Sequence, residues 1–310
     1  MVHKLFWTGG FDSTFRLCQL VKDSCVVEPI YIVDNFRSSL NYEFDAHEKI
    51  LLFLKSKNVK GTILPVRYIN LQNVVFDSVI DKSFKRIEKD YPITSQYKWL
   101  SFFAKQEGYC ELCHESSNFF KGAFNRLIDS KAKFQIDDYG NYKLIKNQTD
   151  EDVFNIFGNF LFPLLKITNI EMFSLLKLWG MEGVVDKIWF CYSPIDGKPC
   201  GICGPCRNKL KNHMDFLLSD ESRKRGFVFN YLRGKEYKTA NGELLTDLFI
   251  SYCFERFNYL QLEKGHAVLN DSKANLLSMV LKLNGEYYKM FEKLLSNPPI
   301  VYNWKDVKKN

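Results

Sequence analysis

Two stretches of this 310-residue chain combine residue types and spacings that can do chemistry. The first is Thr8-Gly9-Gly10-Phe11-Asp12-Ser13-Thr14, preceded by apolar Leu5, Phe6 and Trp7. Phe15, Leu17, Cys18, Leu20 and Val21 follow it at helical spacing. Two consecutive glycines let the backbone turn tightly with its amides aimed at one spot. The helix that follows adds the positive end of its dipole, and the hydroxyls of Ser13 and Thr14 supply further donors. The result is an anion site suited to phosphate or pyrophosphate. It is not a Walker A loop, because no Lys stands at the required position, and it does not follow G-x-G-x-x-G. The second stretch holds Cys191, Cys200, Cys203 and Cys206, a C-x8-C-x2-C-x2-C spacing. Four thiolates close a tetrahedral shell around zinc, and Gly201 and Gly204 permit the turns between them. An iron–sulfur cluster accepts the same four thiolates, so spacing leaves the metal open.

The elements that would position these residues read as an α/β fold with a parallel, doubly wound sheet. Lys4–Trp7 is a strand, residues 13 to about 21 a helix, Val26–Val33 a strand, Ala46–Leu54 a helix and Ile63–Ile69 a third strand. Strands alternating with helices imply parallel pairing through crossovers. Residues 95–130 read as helical, interrupted by Gly108 and by Cys110-Glu111-Leu112-Cys113-His114. A hairpin turning at Tyr139-Gly140-Asn141 is expected next. Thr168 and Glu171 form a capping box for a helix from Asn169 to about Trp179. From about residue 210 the pattern is helical.

Composition sets the bounds. Hydrophobic residues make up 46% and charged residues 25%, as in ordinary globular proteins. The high aromatic share, 27 Phe and 16 Tyr, reads as a compositional habit rather than a stacking surface. Net charge is +7, from 43 Lys and Arg against 36 Asp and Glu, a mild field that favours phosphorylated ligands or nucleic acid. Met-Val-His-Lys leads directly into the first strand without a signal-peptide layout, and no apolar run approaches the ~18 residues that span a bilayer. Nine cysteines in that setting read as thiols or metal ligands of a reducing cytosol, so a cytoplasmic location without membrane partners is expected.

The order T-G-G-x-D-S-T after a first strand resembles the PP-loop of the N-type ATP pyrophosphatases, which cleave ATP between its α and β phosphates. With the cysteine cluster downstream, the chain resembles the 7-cyano-7-deazaguanine synthases within that superfamily. Trp189, Cys191, Tyr192, Cys200, Cys203 and Cys206 match their carboxyl-terminal signature, and Pro163, Leu164, Thr168, Glu171 and Gly180 match an upstream segment. The likeness covers roughly 1–70 and 160–210. It implies a catalytic core over 1–210 containing a zinc loop at 189–209 and a divergent insertion at about 85–160, followed by a helical extension over 211–310. It implies ATP and Mg2+ at Thr8, Gly9, Gly10, Phe11, Asp12, Ser13 and Thr14, with Gly9, Gly10, Ser13 and Thr14 on the pyrophosphate. Asp12 would order the loop or a magnesium ion, and Zn2+ would be structural. The implied activity is that of an ATP-dependent C–N ligase of queuosine biosynthesis. It would adenylate the carboxylate of 7-carboxy-7-deazaguanine and, with ammonia, give the amide and then the nitrile, releasing AMP and pyrophosphate. Asp12, Ser13 and Lys166 are the expected catalytic residues and Trp189 and Asn118 the expected substrate contacts. The aromatic-rich carboxyl-terminal helices, outside the likeness, are expected to pack on the core, to build the interface of a homodimer or to recruit a partner.

The chain departs from the family at several places. Asn169 stands where the family has Lys after the cap, and Lys166 replaces an acidic position from which it could return the missing charge. Lys209 stands where Arg is usual after the last cysteine, with Arg207 nearby. The family's Arg-Asn base-binding stretch has its nearest counterpart in Glu115-Ser116-Ser117-Asn118-Phe119. Cys110, Cys113 and His114 read as free thiols, a second metal or redox site, or a pocket element. Three other functions stay open. One joins the deazaguanine acyl group to a protein amine, as resemblance to antiphage-operon members implies. The second is a nucleotide-binding subunit without turnover. The third is modification of tRNA, prompted by the net charge and by Cys110 and Cys113.

Overall fold

Strand formers in Val2–Phe6 make β1, and the glycines beyond it end the strand so that α1 (Phe11–Lys22) can begin at once. In the computed structural model, which describes residues 2–114, 122–238, 242, 244–262 and 285–298, the chain divides into two compact units. Unit 1 comprises the residues up to Asn35 together with Leu40–Trp189; unit 2 comprises Phe36–Ser39 together with the residues from Phe190 onward.

Unit 1 is α/β. After α1 come β2 (Val26–Val33), α2 (Leu40–Ser56), β3 (Thr62–Ile63), β4 (Arg67–Asn70), α3 (Ser78–Asp90), α4 (Gln96–Glu107) and β5 (Cys110–Glu111). Then follow α5 (Ala123–Lys131), β6 (Phe134–Ile136), β7 (Tyr142–Leu144), α6 (Glu151–Phe157), β8 (Phe160–Leu161) and α7 (Asn169–Leu178). The main sheet runs β3-β2-β1-β5-β8, with β4 also on β2, and every pair in it is parallel. Side-chain alternation splits the strands between two apolar layers. Phe6, Ile30 and Ile32 join an aromatic-rich core with Phe84 of α3, Phe103 of α4, Phe124 of α5 and Phe157 of α6. Trp7 and Tyr31 turn the other way and meet His47 of α2. Helices therefore line both faces, as a parallel sheet requires.

Two elements differ from expectation for identifiable reasons. The third strand is not continuous over 63–69 but breaks into β3 and β4. Its neighbour β2 pairs through Val26 and Val27 with β3 and through Ile30–Val33 with β4, and Pro29 falls in the gap. A proline has no N–H to give the ladder, and Pro65 sits in the matching break. The stretch at 95–130, expected to be helical with interruptions at Gly108 and at 110–114, also contributes a strand to the sheet. Its Cys110-Glu111 forms β5, paired with β1 on one side and β8 on the other. The β6–β7 hairpin turns at Tyr139-Gly140-Asn141, with Gly140 at φ +79. The Thr168–Glu171 capping box starts α7.

In unit 2 the cysteine loop runs into α8 (Gly204–Lys211), followed by α9 (Asp220–Lys235), α10 (Leu245–Leu262) and α11 (Gly285–Ser296). The division falls at Trp189 and Phe190, so the loop groups with the carboxyl-terminal helices rather than with a core ending at 210. Close packing explains this. A Cβ on Gly201 would lie 1.9 Å from the Ser222 carbonyl oxygen, and one on Gly226 would lie 2.3 Å from Leu210 Cδ1. The knuckle and α9 thus touch through backbone, which leaves α9 as part of the loop's support. No helix among the described residues is long and apolar enough to cross a membrane.

Candidate functional site

Gly9 adopts φ +71, a conformation that glycine reaches without strain. A Cβ there would stand 2.9 Å from Cδ2 and 3.2 Å from Nε2 of His47. The Gly10 amide donates to Thr8 Oγ1 (3.3 Å), and the Thr8 amide donates to Ser13 Oγ (3.4 Å). Gly10 is also the N-cap of α1 and brings no side chain, so the first-turn amides receive no side-chain cap. Amino-terminal donors and helix dipole thus coincide on a loop whose residues Thr8, Gly10 and Asp12 are half-buried, while Gly9, Phe11, Ser13 and Thr14 are buried. The Thr14 hydroxyl is turned into the core, where it accepts from Trp7 Nε1 at 3.1 Å. Gly9→Ala is expected to cost about 2 kcal/mol, from the left-handed φ and the clash with His47. Urea unfolding measures that loss, and a stability unchanged within error would contradict the packing described.

His47 is fully buried and stacks on Trp7 at 4.3 Å between ring centroids. Its Nδ1 lies 3.3 Å from the Tyr68 hydroxyl, and its Nε2 has no hydrogen-bond partner among the described residues. Burial pushes its pKa down to about 4, opposed by the Thr8 backbone, so the ring is neutral at pH 7. A neutral imidazole beneath the loop offers a polar nitrogen without adding charge.

Asp12, one residue into α1, accepts from Asn169 Nδ2 at 3.3 Å, and Asn169 is buried at the start of α7. Asn169 thus reaches the loop. Lys166 lies exposed in the turn before α7 and makes no side-chain hydrogen bond or ion pair among the described residues. Trp189 closes the loop from the other side. Its amide donates to the Gly9 carbonyl at 3.0 Å, and its ring stacks on Tyr42 of α2 at 4.5 Å. Asn118 lies outside the described residues.

The sheet order reverses between β1 and β5, and in open parallel sheets the crevice at the carboxyl ends of such strands is where ligands bind. The glycine loop leaves β1 at that place, and Leu112-Cys113-His114 leaves β5 there. The two cysteines of that stretch have separate surroundings. Cys110 is in the aromatic core, and burial pushes its thiol up to about 12. Burial and Glu111 push the Cys113 thiol well above its ordinary value, Arg16 pulls it down, and Asp12 adds to the rise. Both are free thiols, and His114 stacks on Phe124 at 4.2 Å. Between β1, α1 and β5 lies a buried ionic network. Glu111 receives Arg16 Nε at 2.7 Å and Arg16 Nη2 at 3.0 Å, and its Oε1 is 2.7 Å from His3 Nδ1. Arg16 Nη2 also donates to Asn141 Oδ1 at 3.0 Å, tying the hairpin turn to the start of the helix.

Unit 2 holds the cysteine centre. The sulfurs of Cys191, Cys200, Cys203 and Cys206 all lie within 4.8 Å of one another, so they could hold a metal ion. Cys200 and Cys206 are 3.9 Å apart, as are Cys191 and Cys203. A tetrahedron with metal–sulfur bonds of about 2.3 Å has edges of about 3.8 Å, which the shell matches. Backbone amides of Ile202 and Cys203 donate to the Cys200 sulfur at 3.4 and 3.2 Å, and the Cys200 amide donates to Cys191 at 3.1 Å. Arg225 Nε of α9 donates to the Cys200 carbonyl at 2.7 Å. From the β2–α2 connection, Ser38 Oγ donates to the Tyr192 carbonyl at 2.9 Å, and Arg37 lies over the Tyr192 ring.

Sequence reasoning singled out the loop, the cysteines and Trp189. It passed over His47, Glu111 and Arg16, because a histidine inside an amphipathic helix and a two-residue strand leave no local signal. Asn169 was visible only as a missing lysine. No protein-family model matches the chain, and no curated protein matches it either.

Proposed function

We propose that the protein is an ATP-dependent ligase that adenylates the carboxylate of 7-carboxy-7-deazaguanine. The observation that carries this reading is the uncapped glycine turn at the reversal of strand order, with Asp12 held by Asn169 beside it. A carboxylate is a poor electrophile because its charge repels nucleophiles and oxide leaves badly. Its oxygen attacks the α-phosphorus of ATP, and pyrophosphate departs onto the amides and helix dipole of the loop. Ammonia then attacks the acyl carbon, AMP leaves and the amide forms. A second adenylation, on the amide oxygen, permits loss of AMP and a proton to give the nitrile. The loop's own contribution is positioning and charge stabilisation. Mg2+, when bound, would offset phosphate charge, and Asp12 is the carboxylate that would hold it; the residue is half-buried and held by Asn169, which suits that role. Neutral His47 keeps the floor of the loop free of a charge that would distort this balance. Zinc is the ion proposed for the cysteine centre, since a closed all-sulfur tetrahedron leaves no position for water and serves folding.

Incubation with ATP, the carboxylate and ammonia, followed by product mass spectrometry, tests the proposal. The nitrile and AMP are expected. An adduct on a protein amine would redirect the acyl group to a protein acceptor, and absence of AMP with the carboxylate present would overturn adenylation. Asp12→Ala is expected to lower the rate of AMP formation about a hundredfold, the scale of losing one electrostatic stabiliser.

A further inference from the structure

One peptide group of the glycine turn has nothing to bind at either end. The Thr8 amide donates to Ser13 Oγ, the Gly10 amide donates to Thr8 Oγ1, and the Gly9 carbonyl receives the Trp189 amide. Between them, the Thr8 carbonyl and the Gly9 N–H make no hydrogen bond among the described residues. These are the two ends of a single peptide, and His47 packs against it. A Cβ on Gly9 would stand 2.9 Å from His47 Cδ2 and 3.2 Å from its Nε2, so this edge of the ring lies along the turn. Trp7, stacked at 4.3 Å, and Tyr31, set edge-on at 5.0 Å, fix the plane of the ring. His47 is fully buried, and its Nε2 has no hydrogen-bond partner among the described residues. The Thr8 backbone opposes the fall in its pKa, as a carbonyl near the ring does.

A neutral imidazole carries one proton, and the hydrogen bond at one nitrogen decides which of the two holds it. His47 Nδ1 lies 3.3 Å from the Tyr68 hydroxyl. A phenol that donates there leaves the proton on Nε2, beside the turn. A trans peptide sets its N–H opposite its carbonyl, so a donor that holds the Thr8 carbonyl turns the Gly9 amide the other way. We propose that His47 is a positioning residue: its Nε2–H closes onto the Thr8 carbonyl when pyrophosphate binds and aims the Gly9 amide at a phosphate oxygen. The same bond polarises the peptide and makes its N–H a stronger donor. Gly9 suits the arrangement because a side chain there would displace the imidazole. The inference rests on the reading of the turn as a pyrophosphate site.

Imidazole nitrogen spectra of the full chain, labelled with nitrogen-15 at histidine, read the tautomer without any substitution. The proton is expected on Nε2, and its resonance should move downfield as pyrophosphate is titrated. Calorimetry with pyrophosphate forms the second arm. His47→Phe keeps a flat ring on Trp7 but has no donor, and should weaken binding about tenfold, the scale of one hydrogen bond. His47→Gln loses the ring but returns a donor near Nε2, and should recover most of the affinity. A role in packing alone gives the reverse order, because only Phe keeps the stack. Melting temperatures check that both variants fold, and the spectra decide the matter if one does not. A proton on Nδ1, a resonance indifferent to saturating pyrophosphate, His47→Phe binding as tightly as the parent, or His47→Gln binding no better than His47→Phe overturns the inference and leaves the pyrophosphate reading standing. If the parent chain binds neither pyrophosphate nor ATP, that reading fails and the inference falls with it.

Discussion

Cys200→Ala is expected to abolish binding of one zinc per chain and to melt the helices of unit 2. Cys200 is the hub of the shell: its sulfur accepts two amides and faces Cys206, and its carbonyl anchors Arg225 of α9. Removing one thiolate from a closed tetrahedron leaves three charged sulfurs without an ion to balance them. Structural zinc sites contribute on the order of 10 kcal/mol to folding, more than the net stability of most domains. Gly201 and Gly226 transmit that loss, because the knuckle and α9 fit only while the loop keeps its turn. Metal analysis and far-ultraviolet circular dichroism read the outcome, and a chelator should reproduce it in the unmodified chain. A Cys200→Ala protein that keeps stoichiometric metal and full helicity would refute the structural role.

The second large effect is expected at Glu111. Glu111→Gln keeps the shape but leaves the Arg16 guanidinium, 6% exposed, without its counter-charge. Breaking a buried pair from one side costs about 3–5 kcal/mol. The double variant Glu111→Gln, Arg16→Met should recover part of the loss, because it removes the stranded charge. The hairpin turn should also loosen, since Arg16 no longer holds Asn141. Burial alone would raise the Glu111 carboxyl pKa, but hydrogen bonds from His3 and Arg16 outweigh it and hold the group below the ordinary glutamate value. A carboxyl depressed on folding contributes stability that is complete above its unfolded pKa of about 4.3 and is lost as pH falls through the folded value. Glu111→Gln should therefore flatten the acid limb of the stability curve while lowering its plateau. A urea midpoint equal to that of the parent at pH 7 would show that the network carries no net stability.

The parts legible in the sequence were those that local chemistry determines. Two glycines after an apolar run, Thr168 three residues before Glu171, a glycine inside a short hairpin and four spaced cysteines each act within a few residues of themselves. What the sequence hid depends on long-range pairing. Cys110-Glu111 is too short to show a strand period, yet it sits beside β1 in the sheet because β8 and β1 flank it. The break between β3 and β4 required knowing that Pro29 faces it from the neighbouring strand. His47 became part of the site only when α2 brought it under Gly9, and Asn169 only when α7 met α1. Lys166, assigned to the site by charge logic, is an exposed turn residue, whereas the uncharged Asn169 makes the contact.

The four residues Phe36–Ser39 belong to unit 2 although they are made between two elements of unit 1. During synthesis they leave the ribosome about 150 residues before Tyr192, which at 5–20 residues per second is roughly 8–30 s. Throughout that interval unit 1 can assemble its sheet, but Ser38 has no Tyr192 carbonyl to meet. The chain therefore cannot be cut into two independently expressed halves at any single bond, and a functional split would need the early strap supplied with the late half.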